Sequence, residues 1–258
     1  METKKIGFIG GGRITNIMLH AFENSRIDFE KVVVYDPNNE VLNLLKLKFP
    51  NIISTENLLD VVRSEIVFMA IHPPVMMETL AKLKGELNNK TLLTSLAPKI
   101  TMEKMASALG GFSNLARMIP SASTLVNKGI NPVAFHTVVS AKTKTSFLEM
   151  MRPLGSTLEV AESKMEAYAV ISAMGHTYFF FQLQKLKELA INFGMNELEA
   201  QTVITDMLWG TTETLFKSGL SYDEVTDLIP VKPMGEVEET IKGFYDQYLM
   251  GIFAKIKP

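Results

Sequence analysis

The chain contains no cysteine, which excludes disulfides, thiolate metal sites and a cysteine nucleophile together. It also lacks a long uninterrupted apolar run near its start. The stretch from Ile6 to Ile9 ends at three consecutive glycines, too soon for a signal-peptide core or a membrane span. The later stretch "AYAVISAMGHTYFFF" carries a glycine and a histidine and leads into a charged helical pattern, as a buried helix does. An excess of one charge is missing as well. With Lys+Arg 26 against Asp+Glu 28, there is no basic footprint for nucleic acid or for a membrane surface. No His, Asp and Glu cluster has metal-ligand spacing, and neither a G-x-S-x-G elbow nor a Walker loop occurs. These absences point to a cytoplasmic protein that handles a small molecule, with no metal, nucleic-acid or membrane partner.

What is present begins at "IGFIGGGRIT", residues 6 to 15. A short apolar strand runs into Gly10, Gly11 and Gly12, and a helical pattern opens at Arg13 and Ile14. Gly10 and Gly12 fit the first two positions of G-x-G-x-x-G/A, while Thr15 takes the third and is expected to loosen helix–strand packing slightly. The first glycine permits the tight turn. The second lets backbone approach a pyrophosphate, which then sits on unpaired N–H groups at the helix start. About twenty residues further on, Asp36 closes the next strand, where a carboxylate can hold ribose hydroxyls. Asp36-Pro37 supplies no arginine for a 2′-phosphate, which favours NAD over NADP, although Arg13 is available to reach one.

Strands are expected over Lys5–Ile9, Lys31–Tyr35, Ile66–Ile71, Thr91–Ser95 and Asn114–Met118, with helices over Ile14–Asn24, Asn39–Lys48 and Val75–Leu87 between them. Alternation of this kind gives an α/β fold, a Rossmann doubly wound parallel sheet. A strand near Asn131–His136, a helix over Ala141–Met151 and a strand in "STLEVA" extend it. From Lys164 onward the periodicity is helical: a long apolar helix around Ala167–Phe193, a second over Glu197–Ser218, a short third opened by the Ser221/Glu224 capping box, and a last from Val237. The sequence divides into 1–158, a dinucleotide-binding domain, and 159–258, an all-α dimerisation and substrate domain. Tyr178 to Phe181 make the long helix apolar nearly all round, which calls for cover from a second copy. At the carboxyl edge of the sheet, Ala70, His72, Pro73 and Ser95 join the glycine loop, Arg13, Ile14 and Asp36 as the expected cofactor-binding set.

In this order the landmarks resemble the Δ1-pyrroline-5-carboxylate reductase family over nearly the whole chain. The resemblance is carried by "KKIGFIGGG", "IVFMAIHPPVM", "TSLAPKITMEKMASALG", "ARMIPSASTLVNKG" and "SAMGHTY". It implies a Rossmann domain, a helical domain that interlocks in a homodimer or higher homo-oligomer, and hydride transfer from NADPH or NADH to the C=N bond of a small cyclic imine. Arg117, Pro120, Ser172, Gly175 and Tyr178 fit its pattern. Departures gather at the substrate side. "KPMGEV" stands where the family has "SPGGTT", so that Glu236 and Val237 replace two threonines understood to hold a substrate carboxylate. His72 replaces a lysine, Lys99 a glycine, Ser121-Ala122-Ser123 an Asn-Thr-Pro, and His176 a proline. On this resemblance Ser172, His176 and Glu236 approach the substrate, with His176 a candidate proton donor. A carboxylate at Glu236 would repel a carboxylate and attract an ammonium or iminium group; alternatively it is a helix-start acid. His20 and His136 read as structural. Two other functions stay open: a non-catalytic nucleotide-binding sensor or assembly protein, and a reductase of a small oxo acid. A β-hydroxy-acid dehydrogenase is disfavoured because no lysine occupies a clear catalytic helix position.

Overall fold

The computed structural model describes residues 4–258. The first half alternates strand and helix: β1 (Lys5–Ile9), α1 (Arg13–Asn24), β2 (Lys31–Tyr35), α2 (Asn39–Lys48), β3 (Ile53–Thr55), α3 (Leu58–Val61), β4 (Ile66–Met69), α4 (Pro73–Leu83), β5 (Leu92–Ser95), α5 (Met102–Ala108) and β6 (Leu115–Met118). After a 3-10 turn at Ala122–Val126 come β7 (Gly129–Phe135), α6 (Ala141–Met151) and β8 (Gly155–Glu159). Among the described residues these strands form one eight-stranded sheet in the order β3-β2-β1-β4-β5-β6-β7-β8. All neighbours are parallel except β6 and β7, which run antiparallel, so the sheet is the largely parallel one expected.

Because successive strand residues point to opposite faces, each strand feeds two cores. Ile6, Phe8, Val34, Phe68 and Leu92 pack with Met18 and Phe22 of α1 and Phe147 of α6. Ile9, Val33, Val67, Met69 and Leu93 pack instead with Met76 and Leu80 of α4 and Met105 of α5. Helices on both faces of a largely parallel sheet make the fold doubly wound. β3, α3 and α5 go unpredicted from sequence: three residues are too few to show a strand's alternation, and helices of four and seven residues make less than two full turns.

The remaining chain is helical: α7 (Met165–Tyr168), a π-helical turn at Ala169–Ala173, α8 (Gly175–Asn192), α9 (Glu197–Lys217), α10 (Tyr222–Asp227) and α11 (Glu238–Ile256). The long helix expected over Ala167–Phe193 therefore carries a π turn, in which the Met174 N–H donates to the Ala169 carbonyl at 2.9 Å. Two compact units result, one running to Met174 and taking in Ile252–Pro258, the other Gly175–Gly251. The sheet ends at Glu159, beside the division drawn from sequence, but the first unit extends further because Met165 and Ala169 are buried in its second core.

Candidate functional site: a cavity at the switch point of the sheet

From β1 the chain winds outward to β2 and β3, then returns through β4 to wind the other way. The gap beyond the carboxyl ends of β1 and β4 is thus the place where an open α/β sheet binds ligands. Gly10 has φ +104°, and a Cβ there would lie 2.5 Å from the Ala70 carbonyl oxygen, so the two strand ends approach as only glycine permits. Hydrogen bonds fix the approach: Gly10 N–H donates to the Tyr35 carbonyl at 2.7 Å and Ala70 N–H to the Ile9 carbonyl at 2.8 Å.

Gly12 plays a different part. A Cβ on it would meet nothing within 4 Å, so the space above it is open. It is the N-cap of α1 and offers no side chain to the first turn. The N–H groups at the start of α1 therefore face open space without a side-chain acceptor, which suits an anionic diphosphate. The neighbouring helix α4 is less suited, because Pro73 and Pro74 remove two of its first donors. Thr15 is fully buried and donates from Oγ1 to the Gly10 carbonyl at 2.5 Å. The bond braces the loop.

Asp36 holds the loop from the other side. One carboxylate oxygen accepts the Gly11 N–H at 2.8 Å and the other accepts the Asn38 N–H at 2.9 Å. Each oxygen retains a lone pair for a ribose hydroxyl.

A cavity of about 450 Å³ opens on this loop. One wall is Gly12, Arg13 and Ile14, a second Ala70, Ile71, His72 and Pro73, and a third Leu96, Ala97 and Pro98 after β5. Ile119 and Pro120 follow β6, and Ala169, Ala173 and Met174 come from the π turn and its end. Most of the expected cofactor residues meet here. Ser95 does not line it: the side chain is fully buried and accepts the Ala97 N–H at 3.3 Å. A larger cavity of about 550 Å³ lies beside Glu30 and Lys31, at the amino end of β2, the opposite edge from that used for ligands in such sheets.

Ser172 is half-buried and donates to the Tyr168 carbonyl at 2.7 Å, within the π turn. His176 and Glu236 belong to the second unit. His176 stacks on Phe180 with ring centroids 6.0 Å apart. Glu236 is exposed in the 3-10 turn Gly235–Val237 that leads into α11, as a helix-start acid would be. Burial pushes the Tyr178 hydroxyl pKa up, with Tyr245 adding to the effect. Among the described residues, no group of three or more His, Cys, Asp or Glu side chains could hold a metal ion.

Sequence reasoning missed the third wall of the cavity and the contribution of the π turn. Alanines and prolines carry no chemical signature. In the sequence Arg117 only fits a family pattern; in the fold it is 0% exposed and bridges two carboxylates, Glu162 at 3.1 Å and Glu166 at 2.5 Å.

Residues 5–98 match the family described as NADP oxidoreductase coenzyme F420-dependent, and residues 162–255 match pyrroline-5-carboxylate reductase dimerisation. A pyrroline-5-carboxylate reductase of Methanosarcina acetivorans is 25% identical over 255 residues, 98% of this chain and 93% of that protein. Another, from Escherichia coli, is 24% identical over 241 residues, 93% of this chain and 89% of that one. In fold, the chain superposes on the Plasmodium falciparum pyrroline carboxylate reductase solved with NADP bound with a TM-score of 0.79 at 20% identity, covering 99% and 96% of the two chains. The Streptococcus pyogenes 1-pyrroline-5-carboxylate reductase gives 0.84 at 16% identity, covering 100% and 99%.

Proposed function

We propose that the chain is a divergent member of the pyrroline-5-carboxylate reductase family and an NAD(P)H-dependent reductase of a C=N bond in a small cyclic imine. The observation that carries this reading is the cavity at the switch point, with an uncapped helix start and an open glycine at one end. Gly10, Gly11 and Gly12 would cradle the diphosphate, with Arg13 and Ile14 at the helix start beside them. Ala70, His72 and Pro73 would border the nicotinamide half, and Ser95 would support the adjoining loop from beneath. When bound, the reduced nicotinamide supplies a hydride.

The protein's share of imine reduction is chiefly orientation and exclusion of water, since an iminium nitrogen already carries its proton. Arg13 is the charged cation among the residues that border the cavity, and the walls beyond it are mainly apolar. Asp36 favours NAD, because its carboxylate stands where a 2′-phosphate would meet like charge. Ser172, His176 and Glu236 are proposed to approach the substrate. Glu236 in place of a threonine favours an imine without a carboxylate, or one bearing an added cationic group. The helical domain is proposed to pair with a second copy, in line with the dimerisation match at 162–255.

Steady-state oxidation of NADH and NADPH over a panel of cyclic imines and oxo acids tests this reading. Turnover of an imine that lacks a carboxylate, faster than of pyrroline-5-carboxylate, is the expected result. Efficient pyrroline-5-carboxylate reduction would remove the role given to Glu236. Cofactor binding without turnover of any imine or oxo acid would favour the nucleotide sensor instead. With His176 as the proton donor, His176→Ala lowers kcat by about 10²-fold.

A further inference from the structure

Three walls of the cavity are tied, through hydrogen bonds of neighbouring residues, to one buried guanidinium. Arg117, the last residue but one of β6, stands two positions before Ile119 and three before Pro120 in one wall. Its Nη2 reaches Glu166 at 2.5 Å, and Glu166 lies one turn before Ala169 in the helical wall. The same Glu166 oxygen accepts the N–H of Lys99 at 3.0 Å, and Lys99 follows directly on the Ala97 and Pro98 wall. Arg117 Nη1 reaches Glu162 at 3.1 Å, and that carboxylate oxygen also accepts the Met102 N–H at 2.7 Å, at the start of α5.

Stability alone does not account for the arrangement. Arg117 is 0% exposed and Glu166 3%, and burying such ions costs about as much as their pairing returns. Two carboxylates share one guanidinium, and the Arg117 Nε–H is buried without a partner among the described residues. Lys99 is moreover held at φ +78°, a left-handed conformation unfavourable for any residue with a Cβ. What the network does fix is the spacing of three chain segments that are far apart in sequence.

We propose that Arg117 is a positioning residue, which through Glu166 and Glu162 holds the β5 loop, the β6 end and the π-turn wall at the separation that grips the nicotinamide ring. This rests on the cofactor reading above. The glycine loop grips the diphosphate and does not depend on the network, so the two halves of the dinucleotide respond differently when it is cut.

Calorimetric titration separates them. The full-length protein is titrated with NADH or NADPH, whichever binds more tightly, and with the matching fragment that lacks the nicotinamide ring, ADP-ribose or its 2′-phosphate. In the wild type the whole dinucleotide binds about tenfold or more tighter than the fragment. Arg117→Lys and Glu166→Ala are expected to abolish that ring-dependent gain while leaving the fragment's Kd within about twofold. Glu166→Ala keeps the charge-balanced Arg117–Glu162 pair, so it remains informative if Arg117→Lys does not fold. The proposal is overturned by a variant that folds and keeps the gain, or by one that weakens fragment and dinucleotide equally. A wild type that binds neither ligand, or gains nothing from the ring, refutes the cofactor reading itself before any variant is measured, and this inference with it.

Discussion

At Gly10 one hydrogen atom decides whether β1 and β4 can end side by side. A methyl group there would sit 2.5 Å from the Ala70 carbonyl oxygen on a backbone already at φ +104°. Gly10→Ala should therefore destabilise the fold by roughly 2 kcal/mol or more, read as a lowered urea midpoint; an unchanged midpoint would contradict the geometry. Lys99 presents the reverse case, a side chain held where glycine is at ease. Lys99→Gly should stabilise by about 0.5–1 kcal/mol, the relief of left-handed strain less the added freedom of the unfolded chain. A loss of stability on this substitution would mean that the lysine side chain makes a contact worth more than the strain. Both residues lie in motifs visible in the sequence, yet only Gly10 was legible as a constraint. A turn between a strand and a helix announces that glycine locally, although the Ala70 carbonyl it makes room for lies far along the chain. The partners of Arg117 stand 45 and 49 positions away, and no local pattern reports them.

Elements were legible where an apolar period or a β-branched run marked them. α2 and α6 begin and end where their apolar periods do, and β1 and β2 match their β-branched runs. The capping box at α10 forms as its spacing requires: Ser221 accepts the Glu224 N–H at 3.3 Å, and the Glu224 carboxylate accepts the Ser221 N–H at 2.8 Å. The π turn was invisible, since one extra residue in a helical run leaves the hydrophobic pattern nearly unchanged. For Glu224, the Ser221 N–H holds the carboxyl pKa below the ordinary range, with the Ser221 hydroxyl assisting. A depressed folded pKa means that the cap's contribution is complete above the ordinary glutamate range and fades as pH falls through the lowered value. The protection factor of the Ser221 amide, its exchange relative to an unstructured peptide at the same pH, should accordingly fall on acidification and stay constant toward neutral pH. A protection factor that is flat through the acid range would count against the cap.

At the scale of the molecule, the second unit leaves much apolar surface uncovered. Phe181 of α8, Trp209 and Phe216 of α9, and Met250 of α11 are each about two-thirds exposed or more, and of α9 only Ala200 is buried. Large apolar side chains left exposed in this number point to an interface. Sedimentation of the wild type should give a dimer or a larger homo-oligomer, and Trp209→Glu should shift it toward monomer; a wild-type monomer at micromolar concentration would refute the pairing. Among the described residues no helix is long and apolar enough to cross a membrane.

Hydrogen exchange followed by mass spectrometry, with and without reduced dinucleotide, tests the switch-point site most directly. The expected result is protection concentrated in residues 10–15, 70–73, 96–98 and 169–174, the glycine loop and the walls of its cavity. Unaltered exchange in all four segments at saturating NADH and NADPH, or protection confined to other parts of the chain, would contradict the assignment of this crevice to a nicotinamide cofactor.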